Sequence, residues 1–287
     1  MTITTKIIKD SESASGVRLT TFILTYHRFI HSEVMTHRQF SRNASSSRAI
    51  PFKKQIKAIL EDMAMPVAFL QNKPGMQGGA RLPKARENLA YKIWKVAGYT
   101  AIGFAMLLDK LGAHKQYVNR IIEPFSHITV ILTGTEDAFA NFFALRFHPA
   151  AQPEIALLAA KMHLNYVMSE PQKLPKGAWH LPFIDDTVPF WLVEDYDWAP
   201  LIKKSVAACA RVSYNNHDGT ATTLEKDTKL HDDLLSEQPI HASPAEHQAM
   251  STDSLGQSGN LHGWVQYRKT LKNEYITKFT KPLKSFK

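Results

Sequence analysis

Cationic and hydroxyl side chains are concentrated in one short stretch, THRQFSRNASSSRAIP, at positions 36–51. His37, Arg38, Arg42 and Arg48 stand there among serines. Guanidinium forks and hydroxyl groups are the donors that phosphate and pyrophosphate need. A solvated loop explains the composition equally well, because serine and asparagine favour turns. Binding of single-stranded nucleic acid explains it less well, because no aromatic residues interleave with the arginines for stacking on bases.

Other reactive residue types give weaker signals. His27 and His31 are four residues apart, but no third ligand stands at a metal-site spacing, so we expect no metal site. His148 is interpreted as a structural histidine. The single cysteine, Cys209, excludes an internal disulfide and is typical of a small buried apolar residue.

Size and charge limit the classes of function. The chain has 287 residues, of which 44% are hydrophobic, so it can bury a substantial core. Its formal net charge of +9 attracts anions, whether nucleic acid, phosphorylated metabolites or acidic membranes. The N-terminus lacks the apolar core of a signal peptide, and no apolar run reaches membrane-spanning length. We therefore expect a cytoplasmic protein without membrane partners.

The elements around the cationic stretch predict a helix-rich α+β fold with one sheet. Residues 19–30 have the composition of a half-buried strand, and residues 127–134 are also strand-like. A helix follows Pro51, and a long helix at 83–111 carries apolar residues that we assign to one face. Further helices are expected near 135, at 152–168, at 199–210 and at 223–235.

Spacing is more informative than composition. Seven residues separate Arg38 from Ser46, which resembles the Arg-His-Arg, seven residues, Ser motif of the flavin-dependent thymidylate synthases. Asn43 is in register with the family's asparagine. Thr36 stands in place of the first arginine, and Ala44 in place of the usual glutamate. These two departures bring the usual substrate and product into question.

Four further segments resemble the same family. NRIIEP, with Arg120, is similar to its Ala-Arg-x-x-Leu-Pro segment, and NFFALRFHPAAQPEI, with Asn141 and Arg146, to its Asn-x-x-x-Leu-Arg segment. ARVSY at 210–214 and HASPAEH at 241–247 resemble elements that precede the arginine-rich motif in the family, whereas here they follow everything else. The resemblance therefore implies a circular permutation, which predicts that His241 and Ser243 lie beside His37 and Arg38 in the folded chain.

The resemblance implies one catalytic domain over residues 1–287 with an α+β fold, an antiparallel sheet flanked by helices. Residues 19–170 resemble the family core, residues 200–250 its N-terminal part, and residues 251–287 are unassigned. The implied cofactor-binding residues are His37, Arg38, Asn141, Ser213, Ser243 and Glu246. The implied substrate-binding residues are Glu33, Ser46, Ser47, Arg48, Arg120 and Arg146. Arg146 is also the implied catalytic residue, which promotes ionisation of the pyrimidine at N3.

The implied reaction transfers a one-carbon unit from methylenetetrahydrofolate to C5 of deoxyuridylate (dUMP), with FAD as cofactor and NADPH as reductant. It requires no protein nucleophile, in keeping with the interpretation of Cys209. Family members form homotetramers with shared active sites. Two alternatives stay open: hydroxymethylation of dUMP or deoxycytidylate (dCMP), as in viral DNA base modification, and a basic nucleic-acid-binding protein on a degenerate enzyme scaffold.

Overall fold

A five-stranded sheet in the order β3-β4-β2-β1-β5 forms the centre of the molecule. The computed structural model describes residues 3–185, 196–212, 222–236 and 240–275. Neighbouring strands of this sheet are antiparallel except for β1 and β5. A three-stranded sheet, β10-β7-β6, and a β8-β9 hairpin complete the strands of the described part. The predicted α+β class with a helix-flanked antiparallel sheet is confirmed, whereas the prediction of one sheet is wrong, because the described C-terminal part adds short strands that pair outside the central sheet.

The strands are β1 Thr4–Glu12, β2 Arg18–His27, β3 Ser41–Ala44, β4 His127–Thr135, β5 Gln172–Lys173, β6 Trp179–His180, β7 Ala249–Ser251, β8 Gln257–Ser258, β9 Leu261–His262 and β10 Trp264–Gln266. The α-helices are α1 His31–Met35, α2 Phe52–Glu61, α3 Lys84–Lys110, α4 Lys115–Ile122, α5 Glu136–Arg146, α6 Pro153–Met168, α7 Ala199–Arg211 and α8 Leu224–Ser236. Short 3₁₀ turns include Ser243–Glu246.

Strand alternation explains how the sheet is covered. Phe22, Leu24 and Tyr26 alternate along β2 and are fully buried in the core formed with α5 and α6. On β4, Ile131 is buried in a second core with Cys209 at the end of α7. The sheet therefore lies between α5 and α6 on one side and the C-terminal part of the chain on the other.

Buried polar contacts join the C-terminal part to the sheet. Thr21 Oγ1 lies 2.7 Å from Thr133 Oγ1 and 2.8 Å from His180 Nε2. Thr133 Oγ1 lies 2.8 Å from His247 Nδ1. Burial lowers the pKa of His247 to about 3, so this ring is neutral. Neutral histidines can share hydroxyl partners in a core without the cost of a buried charge.

The apolar residues of α3 do not form the single face that the sequence predicted. Ile102 and Ala105 are buried against α2 and α4, but Leu89, Ile93 and Val96 are 57%, 60% and 63% exposed. At 100° per residue, positions 89 and 102 lie on nearly opposite sides of a helix. The prediction of one face is therefore wrong, because α3 is apolar on two sides. Within the described ranges, no helix combines the length and apolarity needed to cross a membrane.

Candidate functional site

The turn that carries Ser46 and Arg48 is fixed by β3, β4 and α4. The N–H of Ser45 donates to Thr129 O of β4 over 2.8 Å, which continues the strand pairing into the turn. Ala49 N–H then donates back to Ser46 O over 3.0 Å. From α4, Lys115 Nζ donates to Ala49 O over 3.0 Å. The turn is thus held at both ends before any ligand binds.

Three segments of the chain meet around a cavity of about 400 Å³, here called cavity A. Ser46 and Arg48 line it from the turn, His114 and Gln116 from the start of α4, and Ser243 from the C-terminal part. Its complete lining is Asn43, Ser46, Arg48, Ala49, His114, Gln116, Ala210, Leu234, His241, Ser243 and Pro244. Cationic and hydroxyl groups therefore face an opening with an apolar wall, a combination suited to an anion attached to an organic group.

Asn43 connects the arginine-rich motif to both C-terminal segments. Its Nδ2 donates to Cys209 O over 2.6 Å, directly before the ARVSY segment. Its Oδ1 accepts from Ser243 Oγ, 200 residues away in sequence, over 3.3 Å. The two segments that the resemblance treats as permuted thus pack against the motif. His241 and Ser243 lie beside the Ser46 half of the motif, and not at the His37 half where the sequence predicted them.

His37, Arg38, Asn141 and Arg146 line a second opening of about 520 Å³, here called cavity B. Its complete lining is Thr36, His37, Arg38, Gln39, Phe40, Asp137, Ala138, Asn141, Leu145 and Arg146. Residues from the motif loop and from α5 are therefore brought together, as the resemblance implied. Cavities A and B share no lining residue.

Arg146 and His37 form a direct pair in cavity B. Arg146 Nε donates to His37 Nε2 over 2.8 Å, and Arg146 Nη2 donates to Thr36 Oγ1 over 3.3 Å. A ring nitrogen that accepts a hydrogen bond carries no proton, so this contact requires a neutral His37. Burial, then the charges of Arg146 and Arg42, lower the pKa of His37 to about 4. The geometry and the electrostatics both favour the neutral ring.

Arg42 does not take the place of the missing first arginine. Its Nη1 donates to the carbonyls of Met35 and His37, over 2.6 and 3.3 Å. It therefore braces the end of α1 and lines neither cavity A nor cavity B. Thr36, where the family has arginine, instead provides the hydroxyl that receives Arg146.

Several implied site residues line neither cavity. Arg120 forms an ion pair with Glu123 over 3.0 Å, and its side chain is 58% exposed. Glu246 pairs with Arg268. Glu33 accepts from Ser32 Oγ over 2.9 Å. Ser47 is buried, and Ser213 lies outside the described residues. Their implied roles stay predictions.

His114, Gln116 and Asp137 are cavity residues that the sequence did not predict as site residues. No motif spacing marks His114 or Gln116, because α4 and the Arg48 turn meet only in the folded chain. Asp137 lies in the first turn of α5, where a carboxylate interacts favourably with the helix dipole. Its carboxylate lies 3.5 Å from His262 Nε2. The described part of the chain contains no group of three histidine, cysteine or acidic residues that could hold a metal ion.

The chain matches no protein-family model and no curated protein. Among solved structures, it is similar to a UMP/dUMP methylase PolB from Streptomyces cacaoi bound with 5-Br UMP, with a TM-score of 0.48 and 16% identity over 58% of this chain and 89% of that one. The same methylase bound with 5-Br dUMP gives a TM-score of 0.47 and 16% identity over 58% and 91%. A likeness this distant assigns neither a family nor a function to the chain.

Proposed function

We propose that this protein is a flavin-dependent enzyme that transfers a one-carbon unit to C5 of a pyrimidine deoxynucleotide, most simply converting dUMP to dTMP. The observation that carries the proposal is the contact between Ser243 and Asn43 across 200 residues of sequence. Segments that the resemblance assigns to one kind of site meet in space despite their permuted order. If the similarity of these short motifs were accidental, there would be no reason to expect segments so distant in sequence to lie in contact.

The donor set of cavity B fits an anionic cofactor such as FAD. The Arg38 guanidinium and the Asn141 amide supply donors to this opening. Arginine forks suit the pyrophosphate of a dinucleotide, and the neutral His37 ring adds no charge of its own. A bound flavin would supply the reducing chemistry, with NADPH as its reductant and methylenetetrahydrofolate as the one-carbon donor.

Arg146 is the residue best placed to stabilise negative charge on the substrate. Its described hydrogen-bond partners, the His37 ring and the Thr36 hydroxyl, are both uncharged, so they do not neutralise the guanidinium. A fixed cation beside a pyrimidine favours loss of the N3 proton and stabilises the resulting anion, an effect of about 3 kcal/mol for a preorganised donor. Ser46 and Arg48 in cavity A would hold the nucleotide phosphate.

We also propose a homo-oligomer with shared active sites, a tetramer as in the family. The residues assigned to one reaction are divided between two cavities of the protomer, and a second copy could bring cavity B against another protomer's cavity A. The exposed side of α3 supports such an assembly. Leu89, Ile93, Val96 and Leu107 repeat on it at heptad-like intervals, and a long apolar stripe of this kind is typical of an interface.

The test is a complete reaction with FAD, NADPH, methylenetetrahydrofolate and either dUMP or dCMP, followed by mass analysis of the nucleotide. The proposal expects a methyl group on dUMP. A hydroxymethyl product, or modification of dCMP alone, would contradict methylation of dUMP and would support the alternative, hydroxymethylation of dUMP or modification of dCMP. Absence of any modified nucleotide with all four components present would contradict the enzyme proposal.

A further inference from the structure

We infer that α4 forms the base of the phosphate site in cavity A, where Asn119 positions the Arg48 turn and His114 donates a hydrogen bond to a phosphate monoester. No motif of the chain assigns either role. The inference rests on the proposed function for the identity of the ligand as a nucleotide. It adds to that proposal that the nucleotide contacts α4 through its phosphate monoester.

Asn119 holds the turn at two points. Its side chain is fully buried, and Nδ2 donates to Ser47 O over 2.6 Å and to Ile50 O over 3.0 Å. These carbonyls flank Arg48 on both sides, so one amide group fixes the segment that presents the guanidinium. The segment of the family that NRIIEP resembles has alanine at this position. The clamp is therefore a feature of this chain.

His114 has a fixed tautomer. It caps α4, and its Nδ1 accepts the N–H of Gln116 over 3.3 Å. Because the accepting nitrogen carries no proton, the neutral ring carries its proton on Nε2. The ring lines cavity A with Arg48 and Ser46. The cap therefore leaves the ring with a donor available for an acceptor in the cavity.

The charge of the lining selects an anion. The titratable residues of cavity A are Arg48, His114 and His241, and no carboxylate belongs to its described lining. A compact phosphate monoester can accept from a guanidinium, an imidazole N–H and a serine hydroxyl at once. The apolar wall of Leu234 and Pro244 can contact the nucleoside part.

The first test is His114→Asn, because asparagine is a good helix cap but is too short to reproduce the Nε2 donor. The dissociation constant of dUMP is measured by calorimetry, with inorganic phosphate as competitor. We expect dUMP and phosphate to bind about tenfold more weakly, by the same factor, since the lost contact is to a charged group that both share. His148→Asn is the matched control, because His148 Nδ1 accepts the N–H of Ala150 over 3.1 Å in a similar local bond outside cavity A.

The second test is Asn119→Ala. We expect the KM for dUMP to rise about tenfold with little change in kcat, because a displaced Arg48 weakens ground-state and transition-state binding alike. Asn165→Ala is the control, since Asn165 Nδ2 also donates to a backbone carbonyl, Thr5 O, over 3.1 Å but lies on α6. A merely structural role would lower the stability of both variants and leave this KM unchanged.

Three results would overturn the inference. They are wild-type protein that binds no dUMP, bound dUMP that phosphate cannot displace, and His114→Asn protein that binds both probes as tightly as wild type. Failure of the proposed function has a different signature. Protein that binds dUMP and phosphate as described, but never binds flavin, would contradict the flavin enzyme and leave the phosphate site in place.

Discussion

Arg146 keeps its charge available because its partner is a neutral histidine. The contact with His37 uses Nε of the guanidinium, and the contact with Thr36 uses one hydrogen of Nη2, so Nη1 and the other Nη2 hydrogen can serve a ligand in cavity B. The family resemblance implied that Arg146 and the motif loop share a site. It did not predict the pairing with His37, which depends on the approach of α5 to the loop.

Replacing Arg146 by alanine should lower kcat by about 10²- to 10³-fold while flavin stays bound. Arg146→Lys should recover only part of the loss, because lysine keeps the charge but not the planar fork that reaches His37 and Thr36 together. Steady-state kinetics and flavin absorption measure the two properties separately. Unchanged turnover in Arg146→Ala would remove this residue from its catalytic role.

His37 should make the protein less stable in acid. Its pKa is about 4 in the folded protein and 6.5 in its ordinary state, so between these values the unfolded chain binds a proton that the folded chain does not. The free energy of unfolding should therefore fall as the pH drops from 6.5 to about 4. Below about pH 4, protonation of His37 should cause no further decrease, because both states then bind the proton.

Denaturation of wild type and His37→Gln across this pH range isolates the contribution of His37 from that of the other buried histidines. Glutamine can still accept from Arg146 but does not titrate. The variant should lose less stability between pH 6.5 and 4 than wild type does. If the free energy of unfolding depends on pH identically in both proteins, His37 does not contribute to the loss of stability in acid.

At the scale of elements, α3 is the feature that the protomer leaves uncovered. Its exposed stripe runs from Leu89 to Leu107, about 27 Å at 1.5 Å per residue. Ile93→Lys with Val96→Lys should dissociate the proposed oligomer, because two charges would be buried in an apolar seam. Light scattering after size exclusion measures the change.

Leu255→Lys is the control for this experiment, since Leu255 is 68% exposed and lies outside α3. It should leave the mass of the assembly unchanged. If wild type itself is a monomer, or if the α3 double variant keeps the wild-type mass, a second copy does not cover this stripe.

Long periodic elements were predicted well and short paired strands were not. The α3, α6, α7 and α8 helices and β2 all form close to their predicted bounds, because each is long enough for its own sequence to indicate it. The β7 and β10 strands have three residues each and depend on pairing, β10 with β7 and β7 also with β6. Strand β1 was missed because its sequence TTKIIKDSE is largely polar.

At the scale of the whole molecule, the C-terminal part is integral to the fold. Trp264 of β10 is fully buried, and its Nε1 donates to Val17 O over 3.1 Å, beside the start of β2. Residues 251–287 were unassigned from sequence, because nothing local indicates that a tryptophan near the end of the chain packs against its beginning.

Trp264→Phe should lower the free energy of unfolding by about 1–3 kcal/mol, since the ring is largely retained while the Val17 carbonyl loses its buried partner. Chemical denaturation measures the loss. Trp94→Phe is a comparison with the same change at a half-buried position, where Nε1 donates to Ala64 O over 2.9 Å. No loss at Trp264 would contradict the packing of the C-terminal part described here.

We propose that the segments with permuted order assemble a flavin and nucleotide site. The most direct measurement is the visible absorption of the purified protein, before and after addition of FAD, followed by titration with dUMP and dCMP. The account predicts bound flavin whose spectrum changes when one of these nucleotides binds. Protein that retains no flavin even in excess FAD would contradict it.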